Sequence, residues 1–218
     1  MTNILRAAWV PDDDPHRDWE IAAQLAVDWI REECADQRAN GVLVLNAFGA
    51  EQSVPALRRF TAQHAATTPR AGRNRADSGL GPVLAYVPTE RTLDFAAGLA
   101  RGSSLAVVEG SSSPLEGRAR ELGAVDLTRP DETPTPIESA LTAAIGRLHF
   151  YSNNSFSVQF GKQRAQRILE DLRGEDLLDR ELILGALVAR GVSDRGVRNL
   201  DKLIESVVSG DSSRTHVS

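Results

Sequence analysis

A chain of 218 residues, 41% hydrophobic and 25% charged, holds enough apolar material for one sizeable core or a core with a small satellite, and disorder is excluded as its default state. The formal net charge of -5 excludes a cationic surface that binds nucleic acid indiscriminately. Cys34 is the only cysteine, which excludes an intramolecular disulfide and a cysteine zinc site.

Short apolar runs alternate with helical patterns along the first two thirds of the chain. Strands are predicted at 4–10, 42–46, 82–87, 104–109 and 124–127, and helices at 15–33, 54–65, 90–101, 114–122 and 135–150. Strand-helix alternation predicts βαβ units and a parallel sheet. Asp14-Pro15, Ser113-Pro114-Leu115-Glu116 and Thr135-Pro136-Ile137-Glu138 each read as a cap residue followed by proline at the first helical position. Gly102 and Gly123 fall where helices should stop. Trp19, Ala22, Ala26, Trp29 and Ile30 form one stripe of the first helix, predicted to face the core. Residues 67–81, rich in Gly, Arg and small polar residues, read as an irregular connection.

The aromatic segment 149–161 marks a boundary, with Phe150, Tyr151, Phe156 and Phe160 within it. Helices follow at 162–173, 179–190 and 194–208, and the tail from Gly210 is polar. Residues 1–150 carry 15 arginines and no lysine against 20 acidic residues, whereas residues 151–218 balance 10 against 10. The expected organisation is an α/β domain over 1–150, a doubly wound, mostly parallel, Rossmann-like or RecA-lobe-like sheet of about five strands. A three-helix module over 151–210 and a disordered tail over 211–218 complete it. The N-terminus lacks a charged-then-apolar leader, and no apolar run approaches the ~20 residues that span a bilayer, so a cytoplasmic protein without a membrane partner is expected.

In an open parallel sheet, ligands bind beyond the carboxyl ends of the strands. That rule selects Asp12 and Asp13 after the first strand, Asn46 after the second, and Thr89 and Glu90 after the third. Glu109, Gly110, Ser111 and Ser112 follow the fourth. Gly110-Ser111-Ser112-Ser113-Pro114 is a small-residue loop entering a helix, whose N–H groups suit an anion, and which equally serves as a capped turn. The Asp12–Asp14 run suits a hard cation, or a cap with acidic neighbours. If the first and fourth strands are neighbours, Asp12–Asp14 and Glu109 converge in one crevice. Nucleophilic chemistry is poorly served: no GxSxG elbow exists, and Cys34 lies among carboxylates that should raise its pKa. His16 beside Asp14 and Asp18 reads as a proton shuttle or as a surface histidine.

Several short stretches resemble known families. Val107–Gly110, VVEG, resembles the start of a Toprim metal domain, but the Asp-x-Asp that family requires after a later strand is missing. GPVLAYVPTERTLDFAAGLARG, 81–102, resembles a strand-loop-helix unit from the second lobe of RecA-like helicases. It arrives without GxxxxGK[ST], so it implies the fold and not an ATPase. ELILGALVARGVSDRGVRNLDKL, 181–203, resembles a helix-turn-helix, with Gly191 in the turn and Ser193 as cap. That resemblance places Arg195, Arg198, Asn199 and Lys202 outward, toward phosphates or base edges. The spacing after RGV also resembles a SAP motif, with its following leucine one place early.

The leading expectation is a non-catalytic binding or regulatory protein that recognises a small anionic ligand or a protein partner at the sheet's carboxyl edge. The alternative is a nucleic-acid-associated factor reading DNA through the C-terminal hairpin. A third is a metal-assisted hydrolase or transferase using Asp12–Asp14 and Glu109. No catalytic residue, cofactor or metal ligand is assigned.

Overall fold

The computed structural model describes residues 4–71, 81–110, 115–133 and 136–210. Ser111, Ser112, Ser113, Pro114, Thr135, most of the 67–81 connection and the tail from 211 lie outside the described residues. The chain divides into a sheet unit, Thr2–Leu115 with Leu122–Thr135, and a helical unit, Glu116–Glu121 with Pro136–Ser218. Among the described residues no helix is long and apolar enough to cross a membrane.

The sheet unit holds six parallel strands: β1 (Arg6–Val10), β2 (Val42–Val44), β3 (Ala65–Thr67), β4 (Val83–Tyr86), β5 (Ser104–Val108) and β6 (Val125–Asp126). Their order is β3-β2-β4-β5-β1-β6. This is the α/β class expected from the sequence, followed by a helical C-terminal region. The β3 segment is an addition. The predicted helix at 54–65 stops at Thr61, and Ala65–Thr67 pairs with β2 in register Val42↔Ala65.

Alternation along the strands builds two cores. Ala8, Val10, Leu43, Leu84, Ala106 and Val108 point to one face, where α1 (Trp19–Gln37) and α2 (Pro55–Thr61) cover them. Val42, Val44, Val83, Ala85, Leu105 and Val107 point to the other, under α3 (Glu90–Leu99). Both faces of the inner strands are therefore apolar, as a covered parallel sheet requires. The connections explain the division: β1→β2 and β2→β3 move toward one edge, β4→β5 toward the other. A right-handed crossover puts oppositely directed connections on opposite faces.

The α1 helix starts later and ends later than predicted. Asp14 does not cap it; its carboxylate accepts the His16 N–H at 2.9 Å, and Asp18 is the cap, accepting from Glu20. Pro15 thus lies in a turn ahead of the helix. Trp19, placed on the buried stripe, is 45% exposed, while Ala22, Ala26, Trp29 and Ile30 are buried. Cys34 lies inside the helix, and burial foremost, with Glu33 adding, pushes its thiol pKa up. At the amino end of the sheet Glu33 is 2% exposed. It accepts from Arg6, from the Ser104 hydroxyl and from the Gln37 amide.

The helical unit takes α4 (Glu116–Leu122) through Glu121, then α5 (Ser139–Tyr151), α6 (Gln159–Gly174), α7 (Arg180–Ala189) and α8 (Asp194–Ser209). Leu141, Ala144, Ile145 and Leu148 of α5 share one core with Leu169, Ile183, Leu200 and Ile204. The helical core therefore draws on α5 as well as on the three helices expected after residue 151. The box expected at 135–138 does not open α5, which begins at Ser139 after Glu138 with no side-chain cap. Asp179 and Ser193 do cap their helices, bonding the N–H groups of Leu182 and Gly196. Gly191, φ 84°, turns the chain between α7 and α8.

Candidate functional site

The carboxyl rim of the sheet brings most of the predicted residues together. β1 and β5 are neighbours with Val10 opposite Val108, so the loops carrying Asp12 and Glu109 meet. The Glu109 carboxylate is buried and accepts the Asp12 N–H at 3.0 Å and the Leu115 N–H at 2.5 Å. A carboxylate holding two backbone N–H groups acts as a staple between loops.

On the neighbouring strands, Asn46 donates to the Val87 carbonyl at 2.7 Å and accepts the Thr89 N–H at 2.9 Å. Thr89 also caps α3 by accepting from Thr92. Val87 has φ 44°, a conformation that a β-branched residue rarely adopts. Gly110 borders it: a Cβ there would lie 2.4 Å from Val87 Cγ1. Asn46, Thr89, Gly110, Glu109 and Asp12 are thus linked along one rim.

Asp13 and Glu90 are not drawn in. Asp13 pairs with Arg17 at 3.2 Å and Arg129 at 3.0 Å, and Glu90 is exposed in the first turn of α3. Asp14 bonds the backbone of His16 rather than its ring. A small cleft between Asp12, Asp14, Arg17, Trp19 and Glu109 opens at the rim. It combines three carboxylates with one guanidinium, which disfavours an anion. Among the described residues no group of three or more His, Cys, Asp or Glu is placed to hold a metal ion.

The helical unit carries a second, larger site. Ser155 Oγ lies 3.2 Å from Ser193 Oγ, and Asn199 donates to the Ser155 carbonyl at 2.8 Å, so α6 and α8 begin at the same end. Arg173, near the end of α6, donates to the carbonyl of Val207, near the end of α8. The two helices therefore run parallel, and the partial positive charges of their amino ends lie at one end of the unit. No side chain caps the start of α6 among the described residues.

Between them runs a groove of about 560 Å³. Gln159, Lys162, Gln163 and Gln166 line it from α6, spaced as one helical stripe. Arg195, Asn199, Lys202 and Ser206 form the facing stripe on α8, and Phe156 and Leu203 are the apolar lining residues. Among the described residues no carboxylate lines the groove, and the side chains of Lys162, Arg195 and Lys202 make no ion pair or hydrogen bond. By contrast Arg6, Arg17, Arg59, Arg120, Arg129, Arg180 and Arg190 all have carboxylate partners. Asp201, on α8 itself, holds Arg180 in a two-pronged pair at 2.7 and 2.8 Å, away from the groove. That pair raises the Arg180 pKa, chiefly through the Asp201 hydrogen bond.

Three of the four α8 residues singled out from sequence line this groove: Arg195, Asn199 and Lys202. Arg198 is exposed but outside it, about 60° round the helix from Arg195. Sequence reasoning missed the α6 stripe. A basic signal for α6 was present, though only Lys162 of it lines the groove: residues 151–169 hold Lys162, Arg164 and Arg167 and no acid. Averaging charge over the whole module hid that run.

Comparison with models of known protein families, with curated proteins and with solved structures finds no match to this chain.

Proposed function

We propose that the protein is a nucleic-acid-associated binding factor that holds a phosphate backbone in the groove between α6 and α8. One observation carries this reading: among the described residues, three unpaired cations, Lys162, Arg195 and Lys202, line a single groove that contains no carboxylate. Phosphates are held by Lys and Arg side chains and by polar amides, the side chains this groove supplies. The parallel amino ends of α6 and α8 add a favourable potential. The unit as a whole is not cationic, so binding is local to the groove and sensitive to salt.

The test is fluorescence anisotropy of a labelled oligonucleotide against the full chain at low salt. The wild type is expected to bind, and the combined variant Lys162→Gln, Arg195→Gln, Lys202→Gln to lose at least about tenfold in affinity. Equal binding by the two proteins overturns the assignment, as does no binding to any nucleic acid.

A second reading, recognition of a protein partner or small ligand at the carboxyl rim, is favoured by the left-handed conformation of Val87. Strained residues held by their neighbours cluster at ligand sites. The carboxylates of the rim favour a partner that presents hydrogen-bond donors or positive charge over an anion. A rim variant, Asn46→Ala, that leaves every captured partner unchanged counts against it.

A further inference from the structure

A row of aromatic rings runs from the end of α5 to the start of α6, the helix that supplies one wall of the cationic groove. Phe150 is 70% exposed and Phe160 59% exposed, and Val158 between them in sequence is 50% exposed. The rings form a chain: Phe150 and Tyr151 are edge-on at 5.3 Å, and Tyr151 and Phe160 at 6.2 Å. The Arg164 guanidinium sits 5.3 Å from the Phe160 centroid. Large apolar rings this exposed, in a chain with only eight Phe and Tyr, point to a surface that something covers.

Charge complementarity selects the occupant. Phe160 follows Gln159, which lines the groove, and stands about 100° round α6 from it. Arg164 and Arg167 lie on the same exposed side of α6 as Phe160, and residues 151–169 contain no acid to repel a phosphate. We infer that Phe150, Phe160 and Arg164 form a stacking platform for the unpaired bases of a single-stranded nucleic acid whose phosphates lie in the α6–α8 groove. This rests on the groove reading and deepens it. In a duplex the bases are stacked inside and offer no face to an exposed ring. A single strand offers its π-faces to aromatic and guanidinium surfaces. Stacking tolerates any base, so the platform reads strandedness more than sequence.

The experiment compares labelled single-stranded DNA, single-stranded RNA and a duplex of the same length, by anisotropy, over a salt series. A single strand of at least one sugar type is expected to bind about tenfold tighter than the duplex. Phe160→Ala and Phe150→Ala are expected to weaken single-strand binding by about tenfold each without changing the salt slope. Phe160→Leu, which keeps an apolar side chain and removes the ring, is expected to behave as Phe160→Ala. Duplex binding as tight as single-strand binding, or full affinity in the Phe variants, overturns the platform and leaves the groove standing if the Lys and Arg variants still lose affinity. No binding to any of the three probes overturns both. A concentration-dependent dimer that Phe160→Ala dissolves while binding persists assigns the rings to a second copy of the chain, and also overturns the platform.

Discussion

Asn46 of the β2 exit loop fastens Val87 at the end of β4: its amide donates to the Val87 carbonyl at 2.7 Å, and its carbonyl takes the Thr89 N–H at 2.9 Å. The φ of 44° at Val87 is disfavoured by roughly 1–3 kcal/mol for a side chain of this shape, and the clamp holds it. Asn46→Ala should lower stability by about 1–3 kcal/mol in denaturant unfolding. In a Val87→Gly background the same substitution should lose clearly less, because glycine adopts this φ unaided. Equal losses in the two backgrounds would separate Asn46 from the strain.

Glu33 is a buried carboxylate with three donors, and its charged partner Arg6 has a side chain 57% exposed. The buried end and the exposed end of this pair should behave differently. Glu33→Ala takes the acceptor from the buried Ser104 hydroxyl and one of two acceptors from the Gln37 amide, which keeps Ser104 Oγ at 2.7 Å, and should lower stability by about 2–4 kcal/mol. Arg6→Ala should lose under about 1 kcal/mol, since the exposed guanidinium is screened by solvent. Urea midpoints of the two variants measure the difference.

His64 gives the fold a pH dependence. Its Nδ1 accepts the Gly41 N–H at 3.2 Å and its ring lies against Phe60 at 4.4 Å. Burial foremost, then Arg31, pushes its pKa below the usual histidine value. The unfolded chain therefore takes up a proton more readily than the folded one. Stability from this group is complete above about pH 6.5 and is lost as the pH falls through the lower folded value. The difference in unfolding midpoint between wild type and His64→Gln should shrink from pH 7.5 to pH 5. A constant difference would remove His64 from the pH response.

The α4 and α7 helices meet backbone to backbone at two glycines. A Cβ at Gly117 would lie 2.4 Å from the Leu182 carbonyl oxygen, and one at Gly185 would lie 2.9 Å from the Arg118 nitrogen. Beside them Arg190 and Glu121 form a two-pronged pair at 2.7 and 3.1 Å. On an isolated helix, Gly→Ala is favourable by about 1 kcal/mol. Here the sign should reverse, with Gly117→Ala and Gly185→Ala each destabilising by about 1–3 kcal/mol. Thermal unfolding of the two variants checks the sign.

The α/β pattern was legible because buried parallel strands need continuous apolar runs and their helices need amphipathic ones. LRAAWV, VLVL and SLAVV carry the first signal. β3 was not legible: Ala65–Thr67 is three residues long, at an edge, and follows a segment whose alanines favour a helix. Only pairing with β2 makes it a strand. The proline-primed start of the first helix misled, because Asp14-Pro15 suits a turn as well as a cap and Asp18 offers a second carboxylate four residues on. At the site, the rule for strand ends gathered Asp12, Asn46, Thr89, Glu109 and Gly110 on one rim. Which hydrogen bonds those side chains make with one another depends on loop geometry that residue order does not carry. The groove needed the parallel pairing of α6 and α8, which no local pattern in the sequence encodes.

The slope of log K against log salt for a single-stranded oligonucleotide tests the groove most directly. Three phosphates neutralised by Lys162, Arg195 and Lys202 predict that the combined Gln variant has a slope shallower by about 2, near 0.7 for each cation removed. An unchanged slope, with the variant still folded and binding, would place the phosphates elsewhere on the molecule.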